Sequence, residues 1–228
     1  MDNVRKTSYD FLAVEITWSG HACFVLKGRE KTVVTDPYYP DLFGHLSPVD
    51  ADIVTVSHPH PGHSYVQGVR DSPCQVTGPG EYEIGGVFVT GIPTYHDDQS
   101  GTLRGRNTLY VIEMDGLALC HAGDIGHSLP SPLIEEIGSV DVLFLPVGEV
   151  STLGIDAAID VVRQLEARIV VPMHYKTSST VRQLQPVDRF LSRMGTQDVR
   201  SRPVLTITPS SLPASTQVVV LDDTHGAG

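Results

Sequence analysis

The segment that decides the fold is Ile53-Val54-Thr55-Val56-Ser57-His58-Pro59-His60-Pro61-Gly62-His63. Its first four residues are apolar or β-branched, which is typical of a buried strand. Three imidazoles follow within six residues, in the loop after that strand. A lone histidine is usually a satisfied core or surface group, but packing does not explain three at this spacing. The segment therefore predicts a strand that delivers histidines to a metal site.

Three other apolar strands also end in residues that can bind a metal. Val87–Ile92 leads to His96, Leu117–Cys120 leads to Asp124, and Ile169–Met173 leads to His174. Strand ends on one side of a sheet are where loops converge on a rigid scaffold, so we expect these side chains to meet. Imidazole and carboxylate ligands together suit zinc, iron or manganese.

The order of these residues resembles the metallo-β-lactamase superfamily of hydrolases. The resemblance covers roughly residues 16–176 and rests on His58-x-His60-x-x-His63, followed by His96, Asp124 and His174. The flanks Ile16–Phe24 and Thr35–Pro37 are most similar to the branch that contains L-ascorbate-6-phosphate lactonase and many bacterial metal-dependent hydrolases. The resemblance implies an α/β fold, a four-layer αββα sandwich of the metallo-β-lactamase type. It also implies a divalent metal, with zinc as the first expectation and manganese or iron as alternatives.

One position departs from the family pattern, His-x-His-x-Asp-His, whose aspartate ligates the second metal. This chain has Gly62 there. Residue matching gives a first site of His58, His60 and His96, a second site of His63 and His174, and Asp124, which bridges both ions in the family. We expect the first site to bind its metal, and we expect the missing carboxylate to lower the metal affinity of the second site. Gly62→Asp would restore it, unless the glycine is needed for backbone shape between Pro61 and His63, where a side chain could clash.

Five further residues are predicted to contact substrate or to support the ligands: His21, Asp36, His127, Tyr175 and Lys176. His21 matches a Gly-His-Ser/Ala pattern of the related branch. Asp36 is either a turn former or a group that orients a ligand imidazole by accepting its N–H. For His127 and Tyr175 a purely structural role is equally open, and His121 is interpreted as a core residue.

Three cations are candidates for holding a phosphorylated substrate. Arg104 and Arg106 lie in the loop after His96, where solvated loop charges are the alternative interpretation. Lys176 follows His174 by two residues, and we expect it to be the better placed of the three.

Periodicity predicts strands in the first half and alternating helices and strands in the second. Predicted helices are Ser131–Ile137, Ile155–Leu165 and Val187–Met194, and a closing pair of strands is predicted at Val204–Ile207 and Gln217–Leu221. The glycine-rich segment Gly78–Gly86 lacks the spacing of a nucleotide-binding loop. It predicts a tight connection between strands, from which Glu81 could reach the metal site.

Composition predicts one domain over residues 1–228, with an N-terminal extension at 1–13 and a flexible tail at 222–228. No apolar run approaches the ~20 residues that span a bilayer, and no signal core follows the N-terminus. Three separated cysteines are typical of a reduced cytoplasm. A net charge of −11 disfavours nucleic acid as a binding partner. We expect a small-molecule substrate and no membrane partner, and a homo-oligomer stays open.

These features predict a metal-dependent hydrolase of a small ester, lactone or phosphoester. A metal-bound hydroxide would be the nucleophile, because the ion lowers the pKa of its water to about 7. Asp124, the surviving carboxylate, would serve both metal binding and proton handling. Two alternatives are a metal-binding protein with impaired or no catalysis, because Gly62 replaces the aspartate, and, against the acidic composition, a nuclease.

Overall fold

The structure is a computed structural model that describes residues 13–43, 46, 48–71, 73–178, 180 and 183–223. Its strands are β1 (Val14–Trp18), β2 (Phe24–Lys27), β3 (Thr32–Thr35), β4 (Val49–Asp50), β5 (Ile53–Thr55), β6 (Val69–Arg70), β7 (Cys74–Val76), β8 (Gly80–Ile84), β9 (Val87–Tyr95), β10 (Arg106–Met114), β11 (Leu117–His121), β12 (Val142–Pro146), β13 (Ile169–Met173), β14 (Leu205–Ile207) and β15 (Gln217–Val218). Its helices are α1 (Pro40–Phe43), α2 (Ser131–Ile137), α3 (Ile155–Leu165) and α4 (Asp188–Met194).

Two mixed sheets contain most of the strands. The first sheet has the order β14-β1-β2-β3-β5-β7 and the second β15-β13-β12-β11-β10-β9-β8, while β4 pairs separately with β6. β3 runs parallel to β5, and β11, β12 and β13 run parallel to one another. Because parallel strands place their carboxyl ends at the same edge, the loops after β3 and β5 leave one edge of the first sheet. The loops after β11 and β13 likewise leave one edge of the second.

The main core lies between the two sheets, because alternate residues of each strand point inward. Ile16 and Phe24 of the first sheet share one buried cluster with Ile112 and Phe144 of the second. The rings of Phe24 and Phe144 meet with centroids 4.4 Å apart. This contact joins the two sheets close to their site-bearing ends.

A cover on the outer side of each sheet completes four layers. On the first sheet, Val34 and Val54 pack against Phe43 of α1 and Val69 of β6. On the second sheet, α3 contacts β12 and α4 contacts α3. α3 buries an apolar stripe, as an amphipathic helix on a sheet should. The predicted four-layer α/β sandwich is confirmed. The outer layer over the first sheet contains the short helix α1 and the strand β6.

Two local predictions are wrong. The segment Gly78–Gly86 is not a mere connection, because Gly80–Ile84 forms the edge strand β8, paired antiparallel with β9. Glu81 is exposed on that strand and does not line the site described below. The two C-terminal strands do not pair with each other, because β14 joins β1 in the first sheet and β15 joins β13 in the second.

The predicted helices at 131–137 and 155–165 have the predicted bounds. The predicted extension and tail fall almost entirely on residues 1–12 and 224–228, outside the described part of the chain. Among the described helices, none is both long and apolar enough to cross a bilayer.

Candidate metal centre

The candidate ligands reach one region from the ends of strands in both sheets. His58, His60 and His63 follow β5, and Asp36 follows β3 of the same sheet. His96, Asp124 and His174 follow β9, β11 and β13 of the other. His21 lies in the turn between β1 and β2. The sandwich thus brings residues that are distant in sequence to one edge.

The ligand atoms form three overlapping groups, each within 4.8 Å: His58 with His96 and Asp124, His58 with His60 and His63, and His21 with His63 and His174. Asp124 joins the groups, because its Oδ2 is 3.3 Å from the Nε2 of His96, 3.2 Å from that of His63 and 3.3 Å from that of His174. The predicted first-site trio does not form one group, because His60 lies with His58 and His63 rather than with His96.

These separations fit metal coordination. Two donors that bind one tetrahedral zinc at about 2.1 Å lie about 3.4 Å apart, close to the distances around Asp124 Oδ2. Several polar atoms here are also buried with no hydrogen-bond partner among the described residues: His58 Nε2, His96 Nδ1, His174 Nδ1 and Asp124 Oδ1. Buried polar atoms are normally satisfied. A divalent cation fits this set of imidazole nitrogens and carboxylate oxygens.

Asp36 and Ser57 fix the orientation of two imidazoles. The Ser57 hydroxyl donates to Asp36 Oδ2 across 2.6 Å, so it can accept from the Nδ1–H of His58 at 3.0 Å. The same Asp36 oxygen accepts from the Nδ1–H of His63 at 2.8 Å. With Nδ1 of both rings engaged in these hydrogen bonds, Nε2 is the nitrogen that each ring directs toward the centre. The sequence pointed to Asp36 but not to Ser57.

Burial and neighbouring charges set the protonation of these groups. Burial, reinforced by the charge of His63, lowers the pKa of His58 to about 3. Burial also opposes the charged form of His63, but Asp124 and Asp36 outweigh it and raise the pKa of His63 to about 10. For Asp124, burial favours the neutral form, yet His174 and His63 hold its pKa well below the ordinary value. At neutral pH the centre therefore offers a neutral His58 and an ionised Asp124, as metal ligands require.

Asn107 positions the backbone of Asp124 and was missed from the sequence. Its Oδ1 accepts from the Asp124 N–H at 2.9 Å, and its amide donates to Ala122 O at 3.0 Å and to Thr94. Gly123, at φ +57°, allows the backbone to lie close to Asn107, because a Cβ there would be 2.4 Å from the Asn107 oxygen. The available signal was an amide residue near the start of β10, just before the apolar run Leu109–Ile112.

A cavity of about 560 Å³ adjoins the centre, and Arg104 and Arg106 line it together with His58, His60, His96 and Asp124. Asp97 shapes the loop that carries the arginines. Its carboxylate accepts the backbone N–H groups of four loop residues: Gln99, Gly101, Leu103 and Arg104. Two cations therefore stand beside the metal-binding groups.

Three predicted substrate-side residues lie elsewhere. Lys176 is exposed and does not line this cavity, so the expectation that it is better placed than Arg104 and Arg106 is wrong. Tyr175 is buried, packs against Trp18 with ring centroids 4.9 Å apart, and lines a different cavity. His127 has a structural role, since its Nε2 accepts from the Tyr95 N–H and its Nδ1 donates to Ser128 O.

His121 is a core residue. It is fully buried, its Nε2 donates to the Ala22 carbonyl at 2.9 Å, and its Nδ1 accepts from the Gly123 N–H. Both ring nitrogens are thus used by the backbone rather than by the centre.

Comparisons with known proteins agree with the fold and the site. The family model of the β-lactamase superfamily domain matches residues 15–174. The UPF0173 metal-dependent hydrolase of Methanoculleus marisnigri is 34% identical over 206 residues, covering 79% of this chain and 89% of that protein. The corresponding protein of Methanoregula boonei is 32% identical over 187 residues, covering 72% and 83%.

A solved structure is also similar, that of a candidate Zn-dependent hydrolase of the metallo-β-lactamase superfamily from Thermotoga maritima. It has a TM-score of 0.73 at 38% identity and covers 91% of this chain and 98% of its own. The chain therefore belongs to the metallo-β-lactamase superfamily and, within it, to the UPF0173 family of metal-dependent hydrolases. The protein is accordingly an enzyme of the metal-dependent hydrolase class.

Proposed function

We propose that the protein hydrolyses a small ester, lactone or phosphoester in the cavity beside His58, His96 and Asp124. The observation that carries this proposal is that one cavity is lined both by these metal-binding groups and by Arg104 and Arg106. Its volume of about 560 Å³ suits a small molecule. The similarity of the flanking segments to the ascorbate-6-phosphate lactonase branch supports a lactone or phosphoester.

The ligand set we propose follows the sequence motif. His58, His96 and Asp124 would hold the first ion, with the imidazole of His60 turning toward them from its group with His58 and His63. His63, His174 and Asp124 would hold the second ion. Five imidazoles with one carboxylate favour zinc, with manganese or iron as alternatives. A divalent ion held there would supply Lewis acidity and a water acidic enough to attack at neutral pH.

The protein's own residues orient the metal ligands, accept a proton and bind the substrate. Asp36 and Ser57 keep the Nε2 atoms of His63 and His58 directed inward. Asp124 Oδ1 is buried with no hydrogen-bond partner among the described residues, so it is the oxygen that would accept the proton released by the nucleophile. The guanidinium groups of Arg104 and Arg106 would bind an anionic substrate group.

The setting we propose is the cytoplasm, with a small-molecule substrate rather than nucleic acid. Cys23, Cys74 and Cys120 are all free thiols, which supports a reducing compartment. The net charge of −11 disfavours binding to the phosphate backbone of a nucleic acid over a broad surface.

A hydrolysis panel on the zinc-, manganese- and iron-loaded protein tests the proposal. The panel would pair neutral esters and lactones with their phosphorylated counterparts. We expect turnover that a chelator abolishes, and Arg104→Gln should raise KM for phosphorylated substrates alone. Arg163→Gln, an exposed arginine of α3, is the matched control. A protein that binds metal stoichiometrically yet hydrolyses nothing on the panel would instead support the inert metal-binding alternative.

A further inference from the structure

We propose that His21 is a direct ligand of the second metal and occupies the position that a carboxylate at residue 62 would take. The inference rests on the proposed function only in assuming that the centre binds metal. It replaces the sequence-based expectation that the second site simply lacks a ligand.

The first argument is distance. His21 Nε2 lies 3.1 Å from His63 Nε2, and the ligand atoms of His21, His63 and His174 are all within 4.8 Å of one another. Two nitrogens bound to one tetrahedral zinc lie about 3.4 Å apart. A hydrogen bond between the two Nε2 atoms also explains this distance. A cation bound there would replace the shared proton and accept a lone pair from each ring.

The second argument is space. A Cβ added at Gly62 would lie 3.1 Å from His21 Nε2 and 3.3 Å from the ring of Phe43. A side chain at residue 62 and the His21 imidazole therefore compete for the same volume. The backbone of Gly62 is not in the left-handed region. The expected clash of a side chain at residue 62 is therefore present, but it comes from the rings of His21, His60 and Phe43 rather than from a left-handed backbone.

The third argument is that His21 is held in place. Its carbonyl accepts from the His174 N–H at 2.9 Å and from the Trp18 indole N–H at 3.1 Å. Its ring stacks on Phe43 with centroids 3.7 Å apart, and only 5% of the residue is exposed. Its φ of +52° is uncommon for a residue with a side chain, and such conformations concentrate at functional sites. The backbone bond to His174 ties two ligands of the same ion together.

The consequence is a change in metal preference. A second site of His21, His63, His174 and Asp124 has one carboxylate fewer than a site with aspartate at residue 62. Imidazole favours zinc, whereas carboxylate suits manganese and magnesium. The second site should therefore select zinc over manganese more strongly than a site with two carboxylates.

Metal titration of four proteins tests this inference. Wild type should bind two zinc ions per chain. His21→Asn, which tolerates a positive φ but is too short to reach the ion, should weaken the second step by about a hundredfold. The double variant His21→Asn/Gly62→Asp should recover two ions and show greater manganese affinity. His127→Asn, a histidine outside the cluster, should match wild type.

Two results would overturn the inference: a His21→Asn protein that keeps both steps at wild-type affinity, or a wild type that binds only one ion. A wild type that binds no ion would contradict the proposed function as well, so the two failures are distinguishable. If His21→Asn does not fold, NMR of the wild type decides the question. Loading with an NMR-active cadmium isotope should give one-bond coupling to His21 Nε2, and coupling to His63 and His174 without His21 would refute the assignment.

Discussion

Asp36 accepts a hydrogen bond from the Nδ1–H of His63 across 2.8 Å, and both side chains are completely buried. The two residues come from loops that follow neighbouring parallel strands, β3 and β5. The orientation of a ligand from the histidine motif is therefore fixed by the strand beside it. Support of this kind makes the orientation of the His63 imidazole a property of the first sheet.

Asp36→Asn should weaken metal binding by about 10–100-fold, because the amide is a poorer acceptor for the His63 N–H. The loss should fall on the group around His63, while the group of His58, His96 and Asp124 is less affected. Zinc titration by calorimetry measures this, with Asp41→Asn, an exposed carboxylate of α1, as control. Unchanged affinity would show that Asp36 is only a turn former.

Asp124→Asn should lower hydrolysis by about a thousandfold or more, because one carboxylate is assigned both ligation and proton transfer. The metal content should fall in parallel, since Asp124 Oδ2 faces His96 of the proposed first site and His63 of the proposed second site. Turnover and elemental analysis on the same sample check this, with Glu113→Gln on β10 as control. A variant that keeps its metal and near-normal turnover would show that the proton acceptor is another group.

Metal uptake should release a proton from His63. Its pKa is raised to about 10, so at neutral pH the metal-free protein holds a proton there that a metal must displace. Zinc affinity should therefore increase with pH by about tenfold per unit for this one proton. In the metal-free fold, the same proton contributes stability below the ordinary histidine pKa, and the contribution is lost as pH rises through about 10. Calorimetry in buffers of different ionisation enthalpy measures the release, and a buffer-independent enthalpy would contradict it.

Asp97→Asn should loosen the loop that carries Arg104. Burial favours the neutral carboxyl, but four backbone N–H groups lower the pKa of Asp97 to about 2. The stability it confers is thus present above the ordinary aspartate pKa and lost as pH falls through about 2. We expect KM for phosphorylated substrates to rise while metal content stays unchanged. Asp98→Asn, exposed in the same loop, is the control, and an equal effect in both variants would exclude a specific role for Asp97.

The sequence predicts the fold and the strand-end ligands because both depend on local patterns. Apolar runs followed by His58, His96, Asp124 and His174 are visible without coordinates, and parallel strands then bring their ends to one edge. The superfamily motif adds the order of the ligands.

Other features depend on packing across the sheets and could not be predicted. Whether Lys176 or Arg104 faces the cavity depends on the path of each loop, which periodicity does not encode. The closeness of the His21 ring to Gly62 could not be predicted, because a glycine in a sequence does not show which neighbouring side chain occupies the space beside it. Ser57 directly precedes the histidine motif, yet its role depends on Asp36, a residue 21 positions away.

Diffraction from zinc-soaked crystals at the zinc absorption edge tests the metal centre most directly. We predict one anomalous peak within bonding distance of His58, His96 and Asp124, and a second bounded by His63, His174 and His21. Peaks confined to surface residues, with none among these side chains, would contradict the assignment of this centre.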